Sequence, residues 1–279
     1  MIKMELDKIK YLQNQAKELR KIALTMIYHA QSGHPGGSFS AADIMAALYF
    51  HYMNLDPQNP NWADRDRFVL SKGHVCPILY SALILKNMIP ADEVCHLRKQ
   101  GSMLQGHPDM KRCPGIDIST GSLGQGISCA VGMALAAKRD QKSYMTYTLL
   151  GDGECNEGQV WEAAQAANKY QLDNLIVFID HNRLQNDGTA DDIMPTLDLK
   201  EKFEAFGFET LRIDGHHMEE ITKAIEFMLS KKNGSPKCIV CNTIKGKGVS
   251  FMENVPSWHG VAPNDQEFQQ AMQELEVGI

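Results

Sequence analysis

The 279-residue sequence predicts an α/β fold, a doubly wound and mostly parallel sheet flanked by helices, with an amino-terminal helical extension. Three observations predict it. Apolar runs of strand length alternate with helix-length amphipathic stretches from Gly121 onward. The strand runs, Leu175-Ile176-Val177-Phe178-Ile179 above all, lack the polar alternation of a half-exposed strand. No repeat, linker or low-complexity tract interrupts the chain, so residues 1–279 read as one domain. Strands apolar on both faces belong to parallel sheets covered by helices.

The elements follow in order. Leu12, Ala16, Leu19, Ala23 and Met26 recur at helical spacing and predict a helix over Leu6–Ala30. It stops at Gly33-His34-Pro35-Gly36-Gly37, where glycine and proline break the pattern. Ser40 is placed to cap a second helix running to Phe50, and a Pro/Asn-rich turn then leads to a strand at Phe68–Leu70. Helices are expected near Ile78–Lys86 and Ala91–Lys99. Beyond Gly121 come a helix (Leu123–Lys138), a strand (Tyr144–Leu150), a helix (Glu157–Tyr170) and a strand (Leu175–Ile179). A helix near Leu199–Phe206, a strand at Glu209–Ile213, a helix at Glu219–Leu229 and a strand at Cys238–Asn242 complete the prediction.

Composition narrows the function classes. With 43% hydrophobic and 22% charged residues the chain is ordinary globular material, and at this length it needs no disulfide or metal staple. A formal charge of −6 does not suit a nonspecific nucleic-acid or membrane binder. The seven cysteines are odd in number and scattered, which fits a reducing, cytoplasmic setting. Cys238 and Cys241 lie three apart on a predicted strand, so they face opposite sides and make a poor zinc pair. No apolar stretch reaches membrane-span length, and Met1-Ile2-Lys3-Met4-Glu5 carries no signal-peptide core.

The chemistry concentrates at two strand ends. Leu149-Leu150-Gly151-Asp152-Gly153-Glu154 closes one strand, and Ile179-Asp180-His181-Asn182 closes the next, with one helix between them. If those strands are neighbours, Asp152 and Asn182 project into the crevice where open α/β sheets bind ligands. A carboxylate and an amide oxygen are hard ligands, suited to Mg²⁺ or, in a roomier site, Ca²⁺ once a loop carbonyl and phosphate oxygens join them. Glycine beside Asp152 admits a diphosphate closely, and a helix starting near Glu157 offers it free amide donors. Gly-Asp-Gly is also a common turn, and a lone Gly/Pro-flanked histidine such as His34 is commonly an ordinary exposed residue. His29 and His51 suit packing or surface, and His216 and His217 suit helix entry. Lys245-Gly246-Lys247-Gly248 lacks Walker spacing.

Gly151-Asp152-Gly153, with Asn182 thirty residues after the aspartate, resembles the thiamine diphosphate signature, and the flanking segments resemble transketolase. These are Gly33–Gly37, Asp66–His74, Gly106-His107-Pro108, Gly121–Gly126 and Ser257-Trp258-His259-Gly260. The resemblance runs from about Leu19 to Pro263 and covers the first half of a full-length transketolase. It implies the thiamine-diphosphate-binding fold and the amino-terminal subunit of a split enzyme, whose pyrimidine-binding half is a separate carboxy-terminal chain in an α2β2 assembly. The implied reaction moves a two-carbon ketol unit from a ketose phosphate to an aldose phosphate, with the cofactor carrying that unit.

The resemblance also implies residue roles. Asp152, Asn182 and the Leu184 carbonyl would hold Mg²⁺, with Ca²⁺ or Mn²⁺ as substitutes. His74, Gly121, Ser122, Leu123, Gly153, Glu157, Asn182 and His259 would meet thiamine diphosphate. His34, His107 and His259 would face the sugar and move protons, and Glu157 and Glu162 would join sites across a dimer. Three positions depart from the family: Gly36-Gly37-Ser38-Phe39, Lys72 in place of asparagine, and polar Asn186 where an apolar residue is usual. Related readings are 1-deoxyxylulose-5-phosphate synthase, the α subunit of a 2-oxo acid dehydrogenase, and a non-catalytic transketolase-like regulator.

Overall fold

A computed structural model describes residues 2–278. The helical extension is α1 (Ile2–Ala30), α2 (Pro35–Ser40) and α3 (Ala42–Ala47), the last continuing into one π-turn at Leu48–Tyr52. Strand β1 (Arg67–Leu70) and α4 (Cys76–Leu85) follow, then α5 (Gln125–Arg139), β2 (Thr146–Gly151), α6 (Gly158–Lys169) and β3 (Leu175–His181). Next are α7 (Ala190–Ile193), α8 (Leu199–Ala205), β4 (Glu209–Asp214), α9 (Met218–Ser230), β5 (Lys237–Asn242) and α10 (Asp265–Val277).

All five strands run parallel, in the order β1-β2-β3-β5-β4. The chain steps outward through α5 and α6, passes over the place of β5 with α8, and then returns through α9. Right-handed crossovers put outward steps on one face and the return step on the other. Two cores result. One packs α1, α3, α4 and α9 on the sheet through residues such as Leu19, Ile44, Leu83, Phe178 and Ile225. The other packs α5, α6 and α8 through Ile127, Val160, Val177, Phe203 and Val240. Cys238 and Cys241 fall in different cores, as alternation along a strand requires.

Three local expectations need correction. Ser40 is not a helix cap: α2 already starts at Pro35, whose fixed φ suits the first helical position. Positions 36 and 37 of that helix are glycine because a Cβ there would meet Lys245 and Val75 at 2.9 and 2.7 Å. The helix expected over Ala91–Lys99 is only a 3-10 turn, Ala91–Cys95. It closes at His96, whose φ of −112° is non-helical, and Arg98 beyond it takes a left-handed φ of 61° and donates its N–H to the Leu104 carbonyl. The α10 helix, absent from the sequence reading, starts on a capping box between Asn264 and Glu267.

Candidate active site

Neighbouring strand tips build a cleft of about 410 Å³ at the carboxyl end of the sheet. Register places Gly151 of β2 opposite Asp180 of β3, so the two polar strand ends share one crevice. Lys72 follows β1, Asp152 and Gly153 follow β2, Asn182 and Leu184 follow β3, and Lys245 follows β5; all line the cleft. Side chains at these tips leave the apolar sheet and enter a space that the helical layers do not fill.

Asp152 is 3% exposed. Its Oδ1 accepts from the Gly153 amide at 2.7 Å and its Oδ2 from the Arg183 amide at 2.6 Å, which ties the two tips together. Burial and the neighbouring Asp180 raise its pKa, so a cation in the cleft would favour its ionised form. Asn182 accepts from the Leu184 amide through Oδ1 (3.1 Å) and donates through Nδ2 to Asp180 (3.3 Å), which fixes the orientation of its amide.

Asp180 is a buried hub missed by the sequence reading. Lys72, Ser40, Thr243 and Asn182 all donate to it. Burial pushes its carboxyl upward, but the Lys72 ammonium and these hydrogen bonds outweigh that and hold it below the usual range. Glu154 is a second such hub, accepting from Ser71 Oγ (2.5 Å), Gly124 N (2.8 Å) and Gly151 N (3.0 Å). It draws together the loops before His74, after Gly121–Leu123 and before Asp152. Burial raises its pKa. The signal for both was a charged residue at the end of an apolar strand, where only a partnered charge can be buried.

Three histidines form one wall. Ring centroids of His34, His74 and His259 lie 5.0–5.5 Å apart. Burial, then Arg98, His107 and Lys245, bring His34 down to about 4; burial, then Lys245 and His34, bring His259 down to about 3. Burial and Lys72 also push His74 well below its ordinary value. The wall is therefore neutral at pH 7, and its unprotonated ring nitrogens can accept hydrogen bonds. His34 Nδ1 is buried without a hydrogen-bond partner, an open polar site for a ligand.

Lys245 belongs to this wall, although its Gly-Lys-Gly setting gave only a weak phosphate-loop pattern. Its ammonium donates to the Leu184 and Gln185 carbonyls at 3.0 and 3.2 Å and to His259 Nδ1 at 2.6 Å. The proton of neutral His259 is consequently on Nε2. Burial and Lys72 lower Lys245 to about 8 against the pull of Asp152 and Asp180.

Not every expected residue enters the cleft. Gly121 and Leu123 line it, but Ser122 lines an adjoining pocket of about 180 Å³ with Gly126 and Cys129. His107 is exposed, and its ring borders Gly121 from outside; burial and Arg98 lower its pKa. Glu157 occupies the N-cap position of α6 and, like Glu162, is exposed. Asn186 lines the cleft but turns its amide to Asp187. His29 and His51 are exposed, whereas His216 is not a simple helix-entry residue: it bridges Asp43 and the Ile244 amide.

Could these groups hold a divalent ion and a diphosphate? Asp152, Asn182 and the Leu184 carbonyl are hard oxygen donors on adjacent tips. The Lys245 ammonium is a cation already drawn to the Leu184 and Gln185 carbonyls. Among the described residues no three His, Cys, Asp or Glu side chains gather into a metal cage. Two or three protein oxygens completed by phosphate oxygens is the common arrangement for Mg²⁺. The donor set fits.

A parallel sheet with cationic side chains around a carboxylate and amide at its tips defines an α/β domain built for an anionic cofactor. Comparison with known proteins makes the class specific. The family "Transketolase, thiamine diphosphate binding domain" matches residues 12–278, and the chain belongs to it. A 6-deoxy-6-sulfo-D-fructose transketolase subunit of Clostridium sp. (strain MSTE9) is 48% identical over 265 residues, 95% of this chain and 96% of that one. An apulose-4-phosphate transketolase subunit of Phocaeicola vulgatus is 41% identical over 97% of this chain and 96% of its own. Transketolase from Campylobacter jejuni superposes with a TM-score of 0.90 at 36% identity, covering 96% of this chain and 43% of that one. The chain thus spans under half of that full-length enzyme and nearly all of the two subunits.

Proposed function

We propose that this chain is the diphosphate-binding subunit of a two-chain transketolase, working as a single domain with a carboxy-terminal partner that supplies the pyrimidine side, in an α2β2 assembly. The observation that carries the proposal is the presence of Asp152 and Asn182 on adjacent strand tips, tied by the Arg183 amide to Asp152, within a cleft walled by Lys72, Lys245 and three neutral histidines. Relatives of nearly the same length that bear subunit names support the two-chain arrangement. The synthase, dehydrogenase and regulator readings gain no support from these relatives.

In this proposal Asp152, Asn182 and the Leu184 carbonyl hold Mg²⁺, or Ca²⁺ or Mn²⁺ in its place. Gly153, His74 and the Gly121–Leu123 turn border the diphosphate, with Lys72 and Lys245 as point charges. Thiamine diphosphate supplies the carrier for the two-carbon unit when bound. This chain's part is to bind, to orient and to move protons. His259 offers an Nε2 N–H fixed by Lys245 at Nδ1, while the unprotonated nitrogen of neutral His34 accepts a hydrogen bond from a sugar hydroxyl. His107, whose ring lies against cleft-lining Gly121, is assigned to the sugar. Glu157 and Glu162 are exposed on and beside α6 and are assigned to the junction between assembled subunits.

The donor is a ketose with a terminal anionic group; pentose phosphates and sulfonated ketoses both meet that description. Seven unpaired thiols suit a cytoplasmic setting, and no helix among the described residues is long and apolar enough to cross a membrane. The test is reconstitution with the partner chain and Mg²⁺, followed by two-carbon transfer assays on xylulose 5-phosphate and 6-deoxy-6-sulfofructose. Asp152→Ala should abolish metal-dependent cofactor binding and transfer. Full activity in that variant would overturn the proposal.

A further inference from the structure

We infer that His216 is a positioning residue for the cleft, pinning the loop that carries Lys245 to the helical layer. The inference rests on the function proposed above. His216 follows the turn after β4 and is far from the metal-binding tips in sequence, yet its ring is spanned at both ends. Nδ1 lies 2.8 Å from Asp43 Oδ2, and Nε2 accepts the Ile244 amide proton at 2.8 Å. An acceptor on one side and a donor on the other define the ring as the neutral Nδ1–H tautomer.

Asp43 is itself fixed. Arg20 of α1 bonds the same carboxylate oxygen at 2.5 Å and the Phe39 carbonyl at 3.2 Å. Burial would raise the Asp43 pKa, but Arg20 and His216 hold it below the usual range. Phe39 belongs to α2, the same short helix that follows His34. The next anchor is one residue beyond Lys245: the Gly246 amide donates to the Gly36 carbonyl of α2 at 2.9 Å.

Lys245 therefore sits between two tied peptides, Ile244 through His216 and Gly246 through Gly36. Both ties lead back to the α2 region. A lysine side chain is long and flexible, and a point charge on a loose loop would lose affinity to the entropy of ordering it. Tying both flanking amides removes the backbone share of that loss. The ammonium then meets Leu184, Gln185 and His259 from a fixed base.

The test uses the full chain, its backbone amide exchange, and magnesium pyrophosphate as the probe. His216→Ala should speed exchange at Ile244–Gly248 and weaken pyrophosphate binding, each about tenfold, the size expected for one buried hydrogen bond. His216→Gln, whose side-chain oxygen can accept the Ile244 proton, should restore both. In a Lys245→Ala background, His216→Ala should weaken binding no further, because its effect passes through Lys245. Unchanged exchange, a Gln variant no better than Ala, or additive losses would each overturn the inference. If Lys245→Ala binds pyrophosphate like the parent, the assignment of Lys245 to the diphosphate fails instead, and the exchange arm still decides whether His216 anchors the loop.

Discussion

Replacing Lys72 with methionine should expose how the cleft is held together. Asp180 is fully buried and Lys72 is 2% exposed, so neither charge of this pair is screened by water. Methionine keeps the length of the stem and deletes the ammonium, leaving a buried carboxylate with only neutral donors. Removing one side of a buried ion pair costs ~3–5 kcal/mol. Three donors remain on Asp180, from Ser40, Thr243 and Asn182, which favours the lower end of that range. A loss of about 3 kcal/mol lowers Tm by about 6–12 °C in a chain of this size. Guanidinium denaturation at pH 7 reads the free energy, and circular dichroism reads the midpoint temperature. Adding Asp180→Asn should recover most of the loss, since no charge is then buried unpaired. A single variant that loses less than ~1 kcal/mol, or a double variant no more stable than Lys72→Met, would refute the reasoning.

Other measurements bear on different links. His34 and His259 carry folded pKa values of about 4 and about 3, so the unfolded chain binds their protons more readily. Their contribution is complete above the ordinary value of ~6.5 and is lost as pH falls toward 4; His34→Gln should flatten that slope in denaturation curves recorded from pH 7 to 4. Asn264→Ala removes half of the α10 capping box and should cost ~1 kcal/mol, or about 2–4 °C in Tm. Gly246 has φ +80°, and a Cβ there would press on the Met252 carbonyl. Gly246→Ala should therefore cost ~2–4 kcal/mol in denaturant titration and loosen the Lys245 loop in amide exchange.

The sheet was legible because its strands are pure apolar runs and its crossover helices are amphipathic. The pairing of Asp152 with Asn182 followed from the same logic, since only a neighbouring β2 and β3 bring them together. What escaped were residues whose role comes from distant partners. Asp180 and Glu154 carry only the faint signal of a charge at the end of an apolar strand, and their partners Lys72 and Ser71 are identified by tertiary contacts alone. Lys245 sits in a weak motif, and its place depends on His216, Gly36 and α2, none adjacent in sequence. Ser40 has the chemistry of a cap, but the nearby Pro35 starts the helix earlier and frees its hydroxyl for Asp180. The 91–99 segment reads as a helix from the helical propensity of its residues, whereas the chain leaves helical geometry at His96 and turns left-handed at Arg98.

The insertion of β5 between β3 and β4 bears on synthesis. Until residues 237–242 are made, β3 and β4 each present an unpaired inner edge, since β5 is the strand that both of them flank. A ribosome stalled in that interval would display exposed backbone donors and acceptors open to pairing with another nascent chain. The Lys245 side of the cleft is missing over the same interval. Acquisition of the cleft and relief from edge-to-edge aggregation thus arrive with one late stretch of polypeptide, when β5 emerges and inserts between its two neighbours.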